Sequence, residues 1–297
     1  MEQINYSNNS NPKINNKENL DAKVTVEPKS YDENFPIIDK NIENVSKSTF
    51  SYIKEHYLPH IFIFAVLSLL FIVFSIYLRI FNLLFIPIII ISFAYNYVRK
   101  KVKHAFMQQF AMLNSYEYRE RGAIEEVEAP YLQMGHSRYI EDIVSGVYKG
   151  CPIKFLNFYC TIGQGKSQQH ISFTVCEIHY KTSLPRIFLD AHHHNFLTQD
   201  IFASFKNEEV LSLEGDFNKY FTLYVPKGYE IETLQIFAPD IMAKLIDKSK
   251  LFSLEFIGDH LYIYSSRPIE TKDSLYALYE LVRILIVELA PVLERLK

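Results

Sequence analysis

The chain has 297 residues, 48% hydrophobic and 22% charged, and 31 basic against 34 acidic side chains leave a formal charge of −3. With no global basic field, nucleic acid is excluded as a partner. Three cysteines, none of them in a Cys-x-x-Cys pair, argue against a disulfide framework and against a structural zinc site.

Residues 1–46 hold ten asparagines and a single Phe, with Pro12, Pro28 and Pro36 among Lys, Glu and Ser. So little apolar surface cannot offset chain entropy, and a disordered tail is expected. No basic start is followed by an apolar run before residue 57, so no cleaved secretory signal is expected.

From residue 57 to 98, 33 of 42 residues are hydrophobic and Arg79 is the one formal charge. The uncharged runs 56–78 (23 residues) and 80–98 (19 residues) both meet the roughly 20 residues that cross a bilayer, the second narrowly. They predict a transmembrane helical hairpin turning at Arg79 and Asn82, with Pro87 kinking the second span. Lys40, Lys47 and Lys54 precede the spans, and Arg99, Lys100, Lys101 and Lys103 follow them. That asymmetry places both termini in the cytoplasm and predicts a two-pass inner-membrane protein. Arg79, Arg99, Lys100, Lys101 and Lys103 are then the membrane-interface residues, with the lipid bilayer as their partner. Beyond them Val102, Phe106, Phe110 and Leu113 keep a helical period, giving a membrane unit over 47–121.

Residues 122–297 read as a cytoplasmic α+β domain with an antiparallel sheet and C-terminal helices. Strands are predicted at 139–148, 153–162, 171–180, 186–189 and 221–225. Residues 163–169 suggest a hairpin connection, and Gly258-Asp259-His260 suggests a second hairpin between 251–257 and 261–264. Pro239 opens a helix running to about Lys248, and Leu275, Leu278, Val282, Leu285, Leu289 and Leu293 form the stripe of a last one.

Ser145-Gly146-Val147-Tyr148-Lys149-Gly150, the run from Gly215 to Tyr224 and Ala238-Pro239-Asp240-Ile241-Met242 together resemble a family of uncharacterised bacterial membrane proteins of the Saccharibacteria type. The resemblance covers roughly residues 57–297. It implies a two-helix anchor before a cytoplasmic domain of unknown function, and transfers no catalytic residue.

Candidate chemistry is sparse. Gly163-Gln164-Gly165-Lys166-Ser167 ends like a phosphate loop, yet Cys160 stands where the first glycine belongs and a β-rich run follows, so a turn explains it better. Asp190, His192 and His194 are the best metal candidates, with His170 and His179 as distant ligands, although adjacent residues on an extended chain point apart. Cys160 and Cys176 read as buried apolar groups. Glu214 with Asp216, and Glu255 with Asp259, are carboxylate pairs in turn regions. Phe217, Tyr220, Phe221 and Tyr224 read as core. No catalytic residue or cofactor is assigned. The sequence therefore favours a non-enzymatic, membrane-anchored module that binds a protein or the membrane surface, with an unidentified protein or a second copy as partner. The alternative is a membrane-anchored metal-dependent hydrolase using Asp190 and the histidines.

Overall fold

The computed structural model describes residues 49–77, 85–192, 208–213, 215–248 and 250–295. The predicted tail over 1–46 and the turn at Arg79 and Asn82 lie outside them.

Two long helices open the fold, α1 (Thr49–Tyr77) and α2 (Phe85–Leu113), and they touch each other. Among the described residues no helix is long and apolar enough to cross a membrane. This overturns the expected transmembrane hairpin, its anchor and the two-pass inner-membrane placement. The physical reason lies in the length of the apolar runs. In α2 the run ends at Arg99, leaving 14 apolar-rich residues from Phe85. That is about 21 Å of helix against ~30 Å of hydrocarbon. Pro87 is the third residue of α2 as described, within its first turn.

The end of α2 belongs to the domain. Lys103, Phe106, Met107, Phe110 and Ala111 are buried at spacings of 3, 4, 7 and 8, a single helical stripe. Phe110 meets Tyr116, Phe155 and Tyr279 edge-on at 5.6–6.3 Å between ring centres. Three residues after the helix, Tyr116 leads into β1 (Glu117–Gly122), the edge of a seven-stranded antiparallel sheet. The other strands are β2 (His136–Tyr148), β3 (Cys151–Ile162), β4 (Gln169–Ala191), β5 (Glu208–Leu211), β6 (Phe221–Pro226) and β7 (Phe252–Ser265). Neighbours run β1-β2-β3-β4-β6-β5, and β7 lies on the other side of β4.

The α+β reading and the antiparallel sheet hold, with two corrections. The strands predicted at 171–180 and 186–189 are one 23-residue strand, and Gly258-Asp259-His260 makes no hairpin. Both β4 and β7 run straight through, bent by bulges that place His179 opposite His260 and Leu184 opposite Gly258. Lys149 and Gly150, both at positive φ, close the two-residue β2–β3 turn.

Period-2 alternation sends neighbouring residues to opposite faces. Phe155, Cys176 and Ile263 face α2 and the C-terminal helices; Leu156, Val175 and Tyr262 face a second core with Tyr131 and Leu132. The first core is closed by α3 (Glu230–Ile236), α4 (Pro239–Lys248), α5 (Lys272–Ile284) and α6 (Ala290–Arg295). The Thr271 side chain caps α5 by accepting from the Ser274 amide at 3.3 Å. A π-turn over Leu285–Leu289 joins α5 to α6, and Tyr180 donates its hydroxyl to the Leu285 carbonyl at 3.1 Å.

Gly146 lies under the Tyr116 ring, and a Cβ there would stand 2.0 Å from a ring carbon. Gly146→Ala should therefore cost about 2–3 kcal/mol by overpacking, read as a lowered urea midpoint at unchanged m-value.

Candidate functional site

Three of the four basic residues expected at a lipid interface after the second helix pair with carboxylates of β2 and of the loop before α5. Arg99 pairs with Glu270 at 2.6 Å and Lys100 with Glu141 at 2.8 Å. Lys103 reaches Asp142 at 3.3 Å and sits 4.7 Å above the Tyr159 ring, whose hydroxyl it also contacts. Lys101 lies 5.3 Å from the centre of the Tyr97 ring. The spacing along α2 explains the arrangement, because Arg99, Lys100 and Lys103 share the helix side that continues into the buried stripe.

Asp142 is the centre of this junction. It is fully buried and sits at a bulge in β2 with φ of 56°, a left-handed conformation that Asp adopts more readily than most residues. Its carboxylate receives Asn157 at 2.9 Å, Tyr118 at 3.0 Å, the Lys103 ammonium and His104 Nδ1. Burial is the strongest single influence and pushes the Asp142 pKa up. The His104 and Lys103 contacts and the Asn157 amide together outweigh it and hold the pKa below the ordinary carboxylate value. Burial and the Asp142 charge drive the Tyr118 phenol upward, so it stays a donor. The chain of bonds continues inward. Thr174 donates to Asn157 at 2.6 Å and receives the Ile269 amide at 2.8 Å, so α2, β2, β3, β4 and the loop before α5 share one network.

The sequence candidates disperse. Asp190 is buried on β4 and takes a long 3.3 Å contact from Ser253. Burial raises its pKa to about 6, against weaker lowering by Ser253 and His192. His192 has both ring nitrogens engaged, with the Lys219 carbonyl at 3.0 Å and the Thr222 hydroxyl at 2.9 Å. His194 lies outside the described residues, as does Glu214. Gly165–Ser167 is a short turn between β3 and β4. Cys160 and Cys176 fall in different cores, their thiols raised by burial. Glu255 is tied to Arg186 at 2.8 Å and Tyr264 at 2.6 Å, and so has a different role from Asp259.

Another set converges instead. His179 faces His260 across the β4–β7 pair, with ring centres 4.9 Å apart. The Asp259 carboxylate stands between them, 3.4 Å from His179 Nε2 and 3.2 Å from His260 Nε2. One ligand atom from each lies within 4.8 Å of the others. Two imidazoles and a carboxylate can hold a divalent ion. In the sequence His179 and Asp259 belong to separate candidate sets. His260 was absorbed into a turn motif, because only the non-local β4–β7 pairing brings it to His179. Between α3 and α6 there is also an open groove of about 500 Å³, lined by Gln235, Ile241, Glu288 and Arg295 among others.

No family model and no curated protein matches the chain. Among solved structures it is similar to the crystal structure of the mycobacterial trehalose monomycolate transport factor A, at 9% identity and a TM-score of 0.40. The match covers 60% of this chain and 93% of that one.

Two expectations follow from the buried carboxylates. Lys103→Met leaves Asp142 undercompensated and should cost about 3 kcal/mol at pH 7. The depressed carboxylate contributes fully above its unfolded value of ~3.9. Its contribution is lost as pH falls through the lower folded value, so the acid limb of a wild-type stability curve should flatten in Asp142→Asn. Asp190 behaves oppositely. With a folded pKa raised to about 6, it favours folding while protonated, and that advantage is lost as pH rises from ~4 to ~6. Asp190→Asn should stabilise the protein by about 2 kcal/mol at pH 8 and by almost nothing at pH 4, as read by denaturant titration at both values.

Proposed function

We propose that the chain is a non-enzymatic assembly module whose helical arm, α1 with the first half of α2, packs against the arm of a second copy. The observation behind this reading is the apolar surface of the arm. Among the described residues between 62 and 97, nineteen large apolar side chains are exposed, including Phe62, Leu70, Ile88, Ile91 and Phe93. Consecutive isoleucines at 88–91 are all exposed, and successive helical residues are ~100° apart, so the apolar surface wraps α2 on every side.

At roughly 100 Å² each these side chains leave about 2,000 Å² uncovered, against the few hundred square ångströms that monomers tolerate and the ~800 Å² per partner of a standard interface. Among the described side chains of the arm, 62–77 and 85–97, none is charged, so that surface has no ionic group with which to discriminate partners. Its best complement is a surface equally apolar and of equal length, which an identical arm supplies in an isologous pair. The network around Asp142 supports this reading, because it fixes the base of α2 to the sheet and so presents the arm in one direction.

Sedimentation velocity of the full chain should give a species of twice 34.9 kDa or more. Ile88→Glu with Ile91→Glu should return it to a monomer with unchanged far-ultraviolet dichroism. A wild-type monomer at micromolar concentration, or partition into lipid vesicles without self-association, would sink the proposal.

A further inference from the structure

We infer that His179, Asp259 and His260 form a binding site for one divalent first-row transition-metal ion, independent of the arm. Three features carry the inference. The first is how the backbone brings the ligands together. On a regular strand Asp259 and His260 would point to opposite faces, and the pair would be useless as joint ligands. Here Gly258 has φ of 58°, and three extra residues of β4 bulge between the His179–His260 and Leu184–Gly258 pairs. The distortion lets both oxygens of the Asp259 carboxylate stand among the imidazole nitrogens, each within 3.4 Å of one.

The second is the carboxylate behind His260. Glu177 Oε1 lies 2.9 Å from His260 Nδ1, off the line of a hydrogen bond, and Nδ1 is buried with no hydrogen-bond partner. A small ring rotation aligns the two. Nδ1–H then points at Glu177 and Nε2 is left as the ligand, the carboxylate–histidine arrangement that orients metal-binding imidazoles. Glu177 is in turn held by Lys154 at 2.9 Å. The third is access. The three ligand side chains are 28–47% exposed, so an ion can enter and water can fill its remaining positions. Two nitrogens and one carboxylate favour zinc, cobalt or nickel over calcium or magnesium, which prefer all-oxygen shells.

Co²⁺ is the probe, added to the untagged full chain, with Zn²⁺ as competitor. One equivalent should give visible d–d bands of a low-coordinate site, displaced by Zn²⁺. His179→Ala and His260→Ala should each abolish the bands without altering far-ultraviolet dichroism. The isosteric Asp259→Asn should weaken binding at least tenfold, and Glu177→Gln should weaken it about tenfold. His192→Ala should change nothing. A spectrum that stays that of the aquo ion at one equivalent overturns the inference. So do bands that survive both histidine variants, or bands lost in His192→Ala.

Discussion

A single buried carboxylate decides how this molecule is put together. Asp142 lies in the interior at a position where a carboxylate without cations would be driven neutral, and where its own backbone is held in a left-handed conformation. Both costs are met by groups from the same element, Lys103 and His104 of α2, with Asn157 and Tyr118 completing its hydrogen bonds. The helix therefore cannot slide or rotate on the sheet without leaving a buried charge unpaired. Such specificity is the best-attested use of buried ionic groups, whose net contribution to stability is often small. In a chain whose first helices are apolar on every side, nonpolar contact alone would define no register. The ion network supplies one.

The β4–β7 ribbon does for the sheet what Asp142 does for the helix. In its first half β4 lies between β3 and β7; in its second half β6 replaces β3 while β7 remains. One strand thus belongs to two sheet segments, and the bend between them falls at the bulges around His179 and Gly258. A bulge breaks alternation and re-aims side chains, which is why functional groups gather at such places. The His179, Asp259 and His260 cluster is a local product of that bend.

What was legible in the sequence follows the range of the physics. Signals that act over a few residues read well: Pro239 opening α4, the leucine stripe of α5 and the glycine turn after Ile162. Signals that depend on a distant partner did not. The run from Arg99 to Lys103 has the composition of a headgroup anchor, and only β2 and the loop before α5, brought alongside, show that its partners are Glu141, Asp142 and Glu270. Gly258-Asp259-His260 has the composition of a hairpin turn. A glycine with positive φ serves a bulge inside a long strand equally well, and the choice between them is made by β4, some 80 residues earlier in the chain. The histidine run drew attention because its residues are adjacent, which on an extended chain is the wrong geometry for shared ligation.

The two buried aspartates show how differently one residue type is used. Asp142 has the Lys103 ammonium, the His104 ring, the Asn157 amide and the Tyr118 hydroxyl around it, and its pKa is held below the usual range. Asp190 has one long hydroxyl contact and is raised to about 6. Their burial is nearly the same, so burial cannot explain the difference; the neighbours do. Lys103 lies on the buried stripe of α2 at the spacing where a leucine would serve helix packing as well, and its place there makes sense only through Asp142. Among the described residues Asp190 has no such counterpart, since the ring of His192 is already engaged by Lys219 and Thr222. Of the two aspartates, the one given ionic compensation stands at the junction between arm and sheet. That is where fixing one orientation matters most, because the nonpolar surfaces there have no directionality of their own.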